Sequence, residues 1–233
     1  AAGAKGTSLF LVERGMPGFE KGKRLKKLGM KAQDTSELFF DDVTVPQDAL
    51  LGGREGQGFY QLMGDLPYER LIIGLAALAC MEGAYEATLA YVRERRAFGQ
   101  ALSAQPLMRN VLADLALESE AATALAFRVA RAVDAGARDP AEAALARLTT
   151  ALGKYWVCKR TPAFLGEAME CLGGIGYVEE TGMPRLYRQA PLNSIWEGSG
   201  NIQCLDVLRA LGREPECAHA YFGELAAARG ASA

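Results

Sequence analysis

Two short segments carry the residues best suited to proton chemistry. One is DLPYERLIIG, with Glu69 beside Arg70, and the other is SIWEGSGNIQ, with Glu197 between Trp196 and Gly198. The one histidine, His219, lies in a polar stretch near the end. Histidine triads and multi-histidine metal sites are therefore nearly excluded, and proton transfer falls to Glu, Asp, Lys or Tyr. Around Glu197 the glycines Gly198 and Gly200 allow a tight backbone turn, and Ser199 starts a helix. The plain reading of Glu197 is a helix-start carboxylate interacting with the dipole, and that of Glu69 is a surface ion pair with its neighbour Arg70. A catalytic base is the competing reading of each.

Charge and cysteines narrow the classes. The formal charge of −2 argues against a general nucleic-acid binder, which needs a surplus of Lys and Arg on one face. The one dense basic run, KGKRLKK at Lys21 to Lys27, reads as the solvated flank of a hairpin. Five cysteines (Cys80, Cys158, Cys171, Cys204, Cys217) have no C-x-x-C spacing. They read as buried free thiols of a reducing compartment, the cytoplasm, and argue against disulfides and zinc. No apolar stretch reaches the roughly 18 to 20 uncharged residues that span a bilayer. The opening AAGAKGTSLFLVERG lacks a charged-then-apolar signal layout and an initiator Met, and reads as starting within a domain.

These residues need elements to position them, and the composition changes once along the chain, near Gly52 to Gly58. Before that boundary, Ser8 to Val12 and Ser36 to Val45 are strand-like runs separated by Gly15, Pro17 and Gly18, with a third expected around Leu25 to Met30. So small a sheet cannot bury two faces, so residues 1–54 read as an incomplete, C-terminal piece of a larger β domain. From Gly58 the period becomes helical, with Leu71, Leu75, Leu78, Met81, Tyr85, Leu89 and Val92 on one stripe. A second stripe runs Met108, Leu112, Leu115, Ala122, Ala126, Val129, Val133, and a third Leu145, Leu148, Leu152, Tyr155. Asp139 and Pro140 fit an N-cap followed by proline at the first helical position. Three helices of about 30 residues on short loops predict an up-and-down bundle, closed by a fourth helix after Gly198. The fold class is thus mainly α, a four-helix bundle over residues 55–212. The remainder, 213–233, reads as a frayed tail.

Four segments in order resemble the acyl-CoA dehydrogenase family: KLGMKAQDTSELFFDDVTVP (Lys27 to Pro46), ERRAFGQ (Glu94 to Gln100), ECLGGIGY (Glu170 to Tyr177) and SIWEGSGNIQ (Ser194 to Gln203). Residues 16 to 99 look most like the long-chain branch. Residues 104 to 210 look closer to an adaptive-response relative induced by DNA alkylation.

The resemblance implies removal of a proton α to a thioester carbonyl and passage of a hydride from the β carbon to FAD. A base for so weak an acid must sit close to it in a dry pocket. Glu197 matches the majority position of that base, and Glu69 the position used by long-chain and isovaleryl relatives. If both face one carbon they titrate as a unit. Arg70 resembles the arginine that meets the CoA part, Trp196 a wall beside the thioester, and Gly198 the substrate-side turn. For FAD, Arg95 matches a pyrophosphate ligand, since a guanidinium pairs with phosphate bidentately. Phe98 and Gly99 complete that motif. Gln105 stands one place before Pro106, where relatives have a flavin-contact Gln. Ser199 and Asn201 match phosphate- or ribose-binding positions at a helix start. Arg95, Phe98, Glu170 and Gly174 are implied to serve the FAD of a neighbouring subunit, hence a homo-oligomer, dimer or tetramer. Glu170 replaces the Gln of many relatives.

The resemblance further implies an acyl-CoA substrate, electron-transfer flavoprotein as acceptor, a role in fatty-acid β-oxidation, and no metal, nucleic-acid or membrane partner. Two rival readings are a flavin-carrying DNA-alkylation-response protein with little dehydrogenation and an inactive, truncated flavoprotein subunit. Without the sheet side of the flavin pocket the chain is expected to bind FAD poorly.

Overall fold

The helical stripe that starts at Gly58 becomes a single helix of 37 residues, α1 (Gly58–Glu94). In the computed structural model, which describes residues 3–230, the chain forms two compact units, one up to Leu66 and one from Pro67. By length and composition α1 could cross a bilayer, alone among the described helices, although Glu82 and Glu86 interrupt its uncharged runs. Its Ile73, Ala77, Leu78, Met81, Ala84 and Val92 are buried in the helical core, as expected of a bundle's central stripe.

In the first unit, β1 (Phe19–Arg24) pairs antiparallel with β2 (Ser36–Phe40), and the rings of Phe19 and Phe40 lie 5.1 Å apart. Two of the three expected strands are corrected. Ser8 to Val12 contributes only a single bridge, Phe10 to Leu50. Leu25 to Met30 is the connection between β1 and β2: Met30 takes a positive φ, and Lys27 bonds to the Gln33 carbonyl and the Thr35 hydroxyl. The basic run is the hairpin's flank, with Lys21 and Arg24 both paired to Asp34.

In the second unit α2 (Pro106–Gly136) and α3 (Pro140–Cys171) pack as an antiparallel pair across a short turn. Their contacts run in opposite senses: Gly136 meets Ala143, Val129 meets Gly153, and Glu118 pairs with Arg160 at 2.5 Å. The N-terminus of α3 is as expected, with the Asp139 side chain accepting from the Ala141 N–H at 2.9 Å and Pro140 at the first position. Helix α3 runs parallel to α1, since the Ile73 carbonyl lies by Cys158 and Thr88 donates to the Ala168 carbonyl.

Helix α3 is buried on more than one face, by Leu145, Leu148, Ala151, Lys154, Val157, Cys158, Thr161 and Leu165 among others. A helix apolar around most of its circumference is the inner member of its bundle. Against it pack α2, α4 (Met183–Asn193), α5 (Gly200–Arg213) and α6 (Pro215–Ala227). The mainly helical bundle closed after Gly198 is thus as expected. Two helices were not. Two prolines hid α4: Pro184 stands in its first turn, where proline is tolerated, and Pro191 lies inside its last turn, where it removes a backbone hydrogen bond. The stretch expected to be a frayed tail is α6, which buries Cys217 with Leu148 and Ala210. Its small residues Ala218, Ala220, Gly223, Ala226 and Ala227 blur the apolar stripe of Cys217, Tyr221 and Leu225.

Candidate functional site

The loop between α4 and α5 presents Glu197. Glu197 has φ of 49° and Gly198 has φ of 92°, two consecutive left-handed residues. A Cβ on Gly198 would lie 2.7 Å from the Gln203 amide nitrogen, so only glycine fits there, while Glu197 holds a conformation that disfavours any side chain.

Three side chains from three helices hold this turn by its carbonyls. Lys154 of α3 donates to the Trp196 carbonyl and, at 2.7 Å, to the Gly198 carbonyl. Arg70 of α1 donates from Nε to the Glu197 carbonyl at 3.2 Å. Gln203 of α5 donates to the carbonyls of Glu197 and Gly198 at 3.2 and 2.9 Å. Lys154 is only 2% exposed, and its burial, followed by the opposing attraction of Cys158 and the repulsion of Arg70, leaves its ammonium more acidic than usual. The same burial pushes the Cys158 thiol up to about 12, so it stays protonated. Arg70 is anchored by Asp206 of α5 at 2.9 Å, and Asp206 also receives Arg147 at 3.1 Å.

The carboxylates are left free. Glu197 is exposed and its side chain forms no hydrogen bond or ion pair among the described residues; the N-cap of α5 is Ser199, which makes no side-chain cap bond either. Glu69 is half-buried and likewise unpaired among the described residues. The ion pair of Glu69 with Arg70 is corrected: Arg70 turns to Asp206. Trp196 packs against the helical core with its Nε1 buried and unpartnered. Asn201 is exposed.

The other expected site residues gather at the far end of the bundle. After α1, β3 (Arg96–Ala97) and β4 (Gln100–Ala101) form a two-residue hairpin with Phe98 and Gly99 at φ of 53° and 83°, the signs of a type I′ turn. Phe98 is 94% exposed at its tip, and the Arg95 side chain has no partner among the described residues. Gln105 stands at the N-cap position of α2 without a side-chain cap bond, its Nε2 donating instead to the Ala97 carbonyl at 3.4 Å, and Pro106 is the first residue of that helix. Glu170 and Gly174, both exposed, lie in the last turn of α3 and the 3₁₀ turn after it. Gly176 in that turn admits no side chain, since a Cβ would meet the Met169 carbonyl at 2.3 Å.

Because α1 and α3 run parallel, Arg70 in the first half of α1 and Lys154 near the middle of α3 meet at the Glu197 loop, while the hairpin and the Glu170 to Tyr177 turn follow the C-terminal ends of those helices. At 1.5 Å per residue, α1 carries Arg95 about 37 Å from Arg70. The structure therefore brings Arg70, Trp196, Glu197, Gly198 and Ser199 together and keeps Arg95, Phe98, Gly99, Gln105, Glu170 and Gly174 apart from them. The Sequence reading missed Lys154, Gln203 and Asp206 as members of the loop's support. Gln203 ended a quoted motif and Asp206 followed it, but Lys154 had only its place on a helix whose buried face spreads beyond one stripe.

Of the five cysteines, all are free; Cys158, Cys171 and Cys217 are buried, Cys80 is half-buried and Cys204 is exposed, contrary to the expectation for it. No group of three or more metal-ligating residues occurs among the described residues.

The class these features define is a helical-bundle domain that presents a carboxylate on a braced, strained turn and, apart from it, an exposed arginine and aromatic ring. A family model described as the C-terminal domain of acyl-CoA dehydrogenase matches residues 56–212. The chain is 45% identical over 216 residues to AidB of Escherichia coli (strain K12), covering 91% of this chain and 39% of that protein. It is 40% identical over 199 residues to the mitochondrial long-chain specific acyl-CoA dehydrogenase of Rattus norvegicus, covering 85% of this chain and 44% of the relative. The crystal structure of an acyl-CoA dehydrogenase from Geobacillus kaustophilus matches with a TM-score of 0.81 at 36% identity, over 89% of this chain and 53% of that one. The chain belongs to the acyl-CoA dehydrogenase family, and it spans about two fifths of the length of the curated relatives named.

Proposed function

We propose that this chain is the helical side of an FAD-dependent acyl-CoA dehydrogenase, with Glu197 as the base that takes the α proton of an acyl-CoA thioester. The observation that carries the reading is the Glu197 turn. Its three carbonyls are tied down by Lys154, Arg70 and Gln203, yet the carboxylate itself accepts no hydrogen bond and forms no ion pair among the described residues, feeling only the attraction of the Lys154 ammonium. A group held for structure would be paired; a group held for proton transfer is braced through its backbone and kept open.

The residues at both ends fit FAD. The unpaired Arg95 guanidinium suits a pyrophosphate, the projecting Phe98 ring calls for a covering surface, and Ser199 and Asn201 leave polar groups open at the start of α5. When bound, FAD supplies the acceptor for the hydride that leaves the β carbon. Glu197 accepts the proton at its carboxylate, and Trp196 walls the thioester. Arg70 keeps the turn in place and has N–H groups left for the CoA side. About 37 Å of helix between Arg70 and Arg95 favours two different flavins being served by one chain, which supports a homo-oligomer, dimer or tetramer. Electron-transfer flavoprotein is the proposed acceptor, β-oxidation in the cytoplasm the proposed setting, and Glu69 the alternative base.

The test is anaerobic titration of the full-length, FAD-loaded protein with acyl-CoAs, comparing Glu197→Gln with Glu69→Gln. Loss of flavin bleaching in Glu197→Gln alone is the expected result. Loss only in Glu69→Gln moves the base to α1, and no bleaching in the unmodified protein overturns the dehydrogenase reading.

A further inference from the structure

The helical core contains a lysine whose ammonium costs free energy to keep there. Lys154 is 2% exposed on α3, among Val157, Cys158 and Ala151, which are buried too. A buried ammonium is retained only where strong acceptors meet it, and none of the ion pairs among the described residues involves Lys154. Its partners are instead two backbone carbonyls, Trp196 and Gly198, one on each side of Glu197. Those acceptors would part if Glu197 relaxed from its left-handed φ of 49°, because rotation about that residue turns the Trp196 carbonyl relative to everything that follows, the Gly198 carbonyl included.

We infer that Lys154 is the positioning residue that clamps the Glu197 turn. By gripping the carbonyls before and after Glu197, the ammonium fixes where its carboxylate points and offsets the strain of its backbone. Arg70 and Gln203 hold the carbonyl of Glu197 itself and Gln203 reaches that of Gly198 too, whereas Lys154 spans from the Trp196 carbonyl to the Gly198 carbonyl and so ties the start of the turn to its end. The catalytic part of this inference rests on the reading of Glu197 as the base; the clamp itself does not.

The test separates the two. Lys154→Met keeps the length of the side chain and removes its donors; Cys158→Ala, one helical turn away and also buried, perturbs the same core without touching the turn. Each is made in the 233-residue chain carrying Trp156→Phe, so that Trp196 is the one remaining tryptophan, and in the full-length protein. Lys154→Met is expected to keep its helical circular dichroism and to shift Trp196 emission, whereas Cys158→Ala leaves the emission unchanged. In the full-length protein Lys154→Met should slow flavin reduction about 100-fold with acyl-CoA affinity little changed, since misplacement of a reacting group by about 1 Å costs that much. Should Lys154→Met not fold, Lys154→Gln, whose shorter neutral amide keeps two N–H donors, is read in its place and should shift the emission and slow flavin reduction in the same direction by less.

Unchanged Trp196 emission in the folded variant overturns the clamp. An equal loss of rate in Cys158→Ala overturns the positioning role, leaving general core damage. If the unmodified protein bleaches no flavin, the dehydrogenase reading fails while the emission shift still decides the clamp.

Discussion

Arg70 and Asp206, on helices α1 and α5, form an ion pair of 2.9 Å that is largely shielded, with side chains 15% and 12% exposed. Arg70 spends its Nε on the Glu197 carbonyl, 127 residues away in sequence. The pair therefore links the stability of two helices to the conformation of one turn. Asp206→Ala leaves Arg70 and Arg147 facing each other without their shared carboxylate. A loss of about 3 to 5 kcal/mol in unfolding free energy is expected by urea denaturation, as for other shielded pairs deprived of one partner. A change below about 1 kcal/mol would show that the pair is not shielded in solution.

If one flavin draws Glu197 from one chain and Arg95 from another, two inactive variants should complement each other. Equal amounts of full-length Glu197→Gln and Arg95→Ala, unfolded together and refolded with FAD, should regain about a quarter of the unmodified rate, the share of sites that receive both intact residues in a two-fold assembly. Activity no greater than that of the separate variants places both residues at one flavin.

Glu197 also carries a cost that can be removed. Its left-handed φ of 49° suits glycine, so Glu197→Gly should raise the unfolding free energy of the chain by about 0.5 to 1 kcal/mol while abolishing flavin bleaching in the full-length protein. Gly198→Ala should do the reverse and destabilise, because its Cβ meets Gln203. Equal stability of Glu197→Gly and the unmodified chain would mean that the turn relaxes in solution.

The anchoring of α6 should be sensitive to acid. Arg128 of α2 bridges Glu142 of α3 at 2.9 Å and Glu224 of α6 at 2.5 Å. The bond to Arg128 holds the Glu224 carboxyl below its ordinary value of 4.5. A lowered value in the folded state means that the stabilisation is whole above pH 4.5 and is lost as pH falls through the depressed value. Glu224 is partly exposed, so the effect is small and weakens with salt. Thermal unfolding from pH 7 to pH 3 should show Glu224→Gln losing less stability than the unmodified chain below pH 4.5. Parallel curves would remove the bridge from the account.

The helices were legible where periodicity was strong. Leu112, Leu115, Ala122, Ala126 and Val129 are buried on α2 as their spacing implied, and Asp139 caps α3 as its side chain allows. The stripe of α3 misled beyond Leu152, because a helix enclosed by neighbours has no single apolar face, and Tyr155 at its continuation is 38% exposed. At the site, Glu197, Trp196 and Gly198 lie in one braced turn, and Arg70 reaches it. What composition could not reveal was the support: a lysine counts as polar until its carbonyl partners, more than 40 residues away, are in place. The strand expected at Leu25 to Met30 fails for a local reason: Leu25, bonded to Thr35, continues the ladder by one residue, and the left-handed Met30 then turns the chain.

Helix α3 lies against α2, α4, α5 and α6 and shares a core with α1. No neighbour can detach without baring part of it, and it cannot detach without dissolving the others. Its central amides, near Ala151 to Cys158, should then exchange with heavy water only through opening of the entire helical unit. In kinetic terms the Glu197 turn is tied through Lys154 to the segment expected to open most slowly, so its geometry should persist for as long as the unit stays folded.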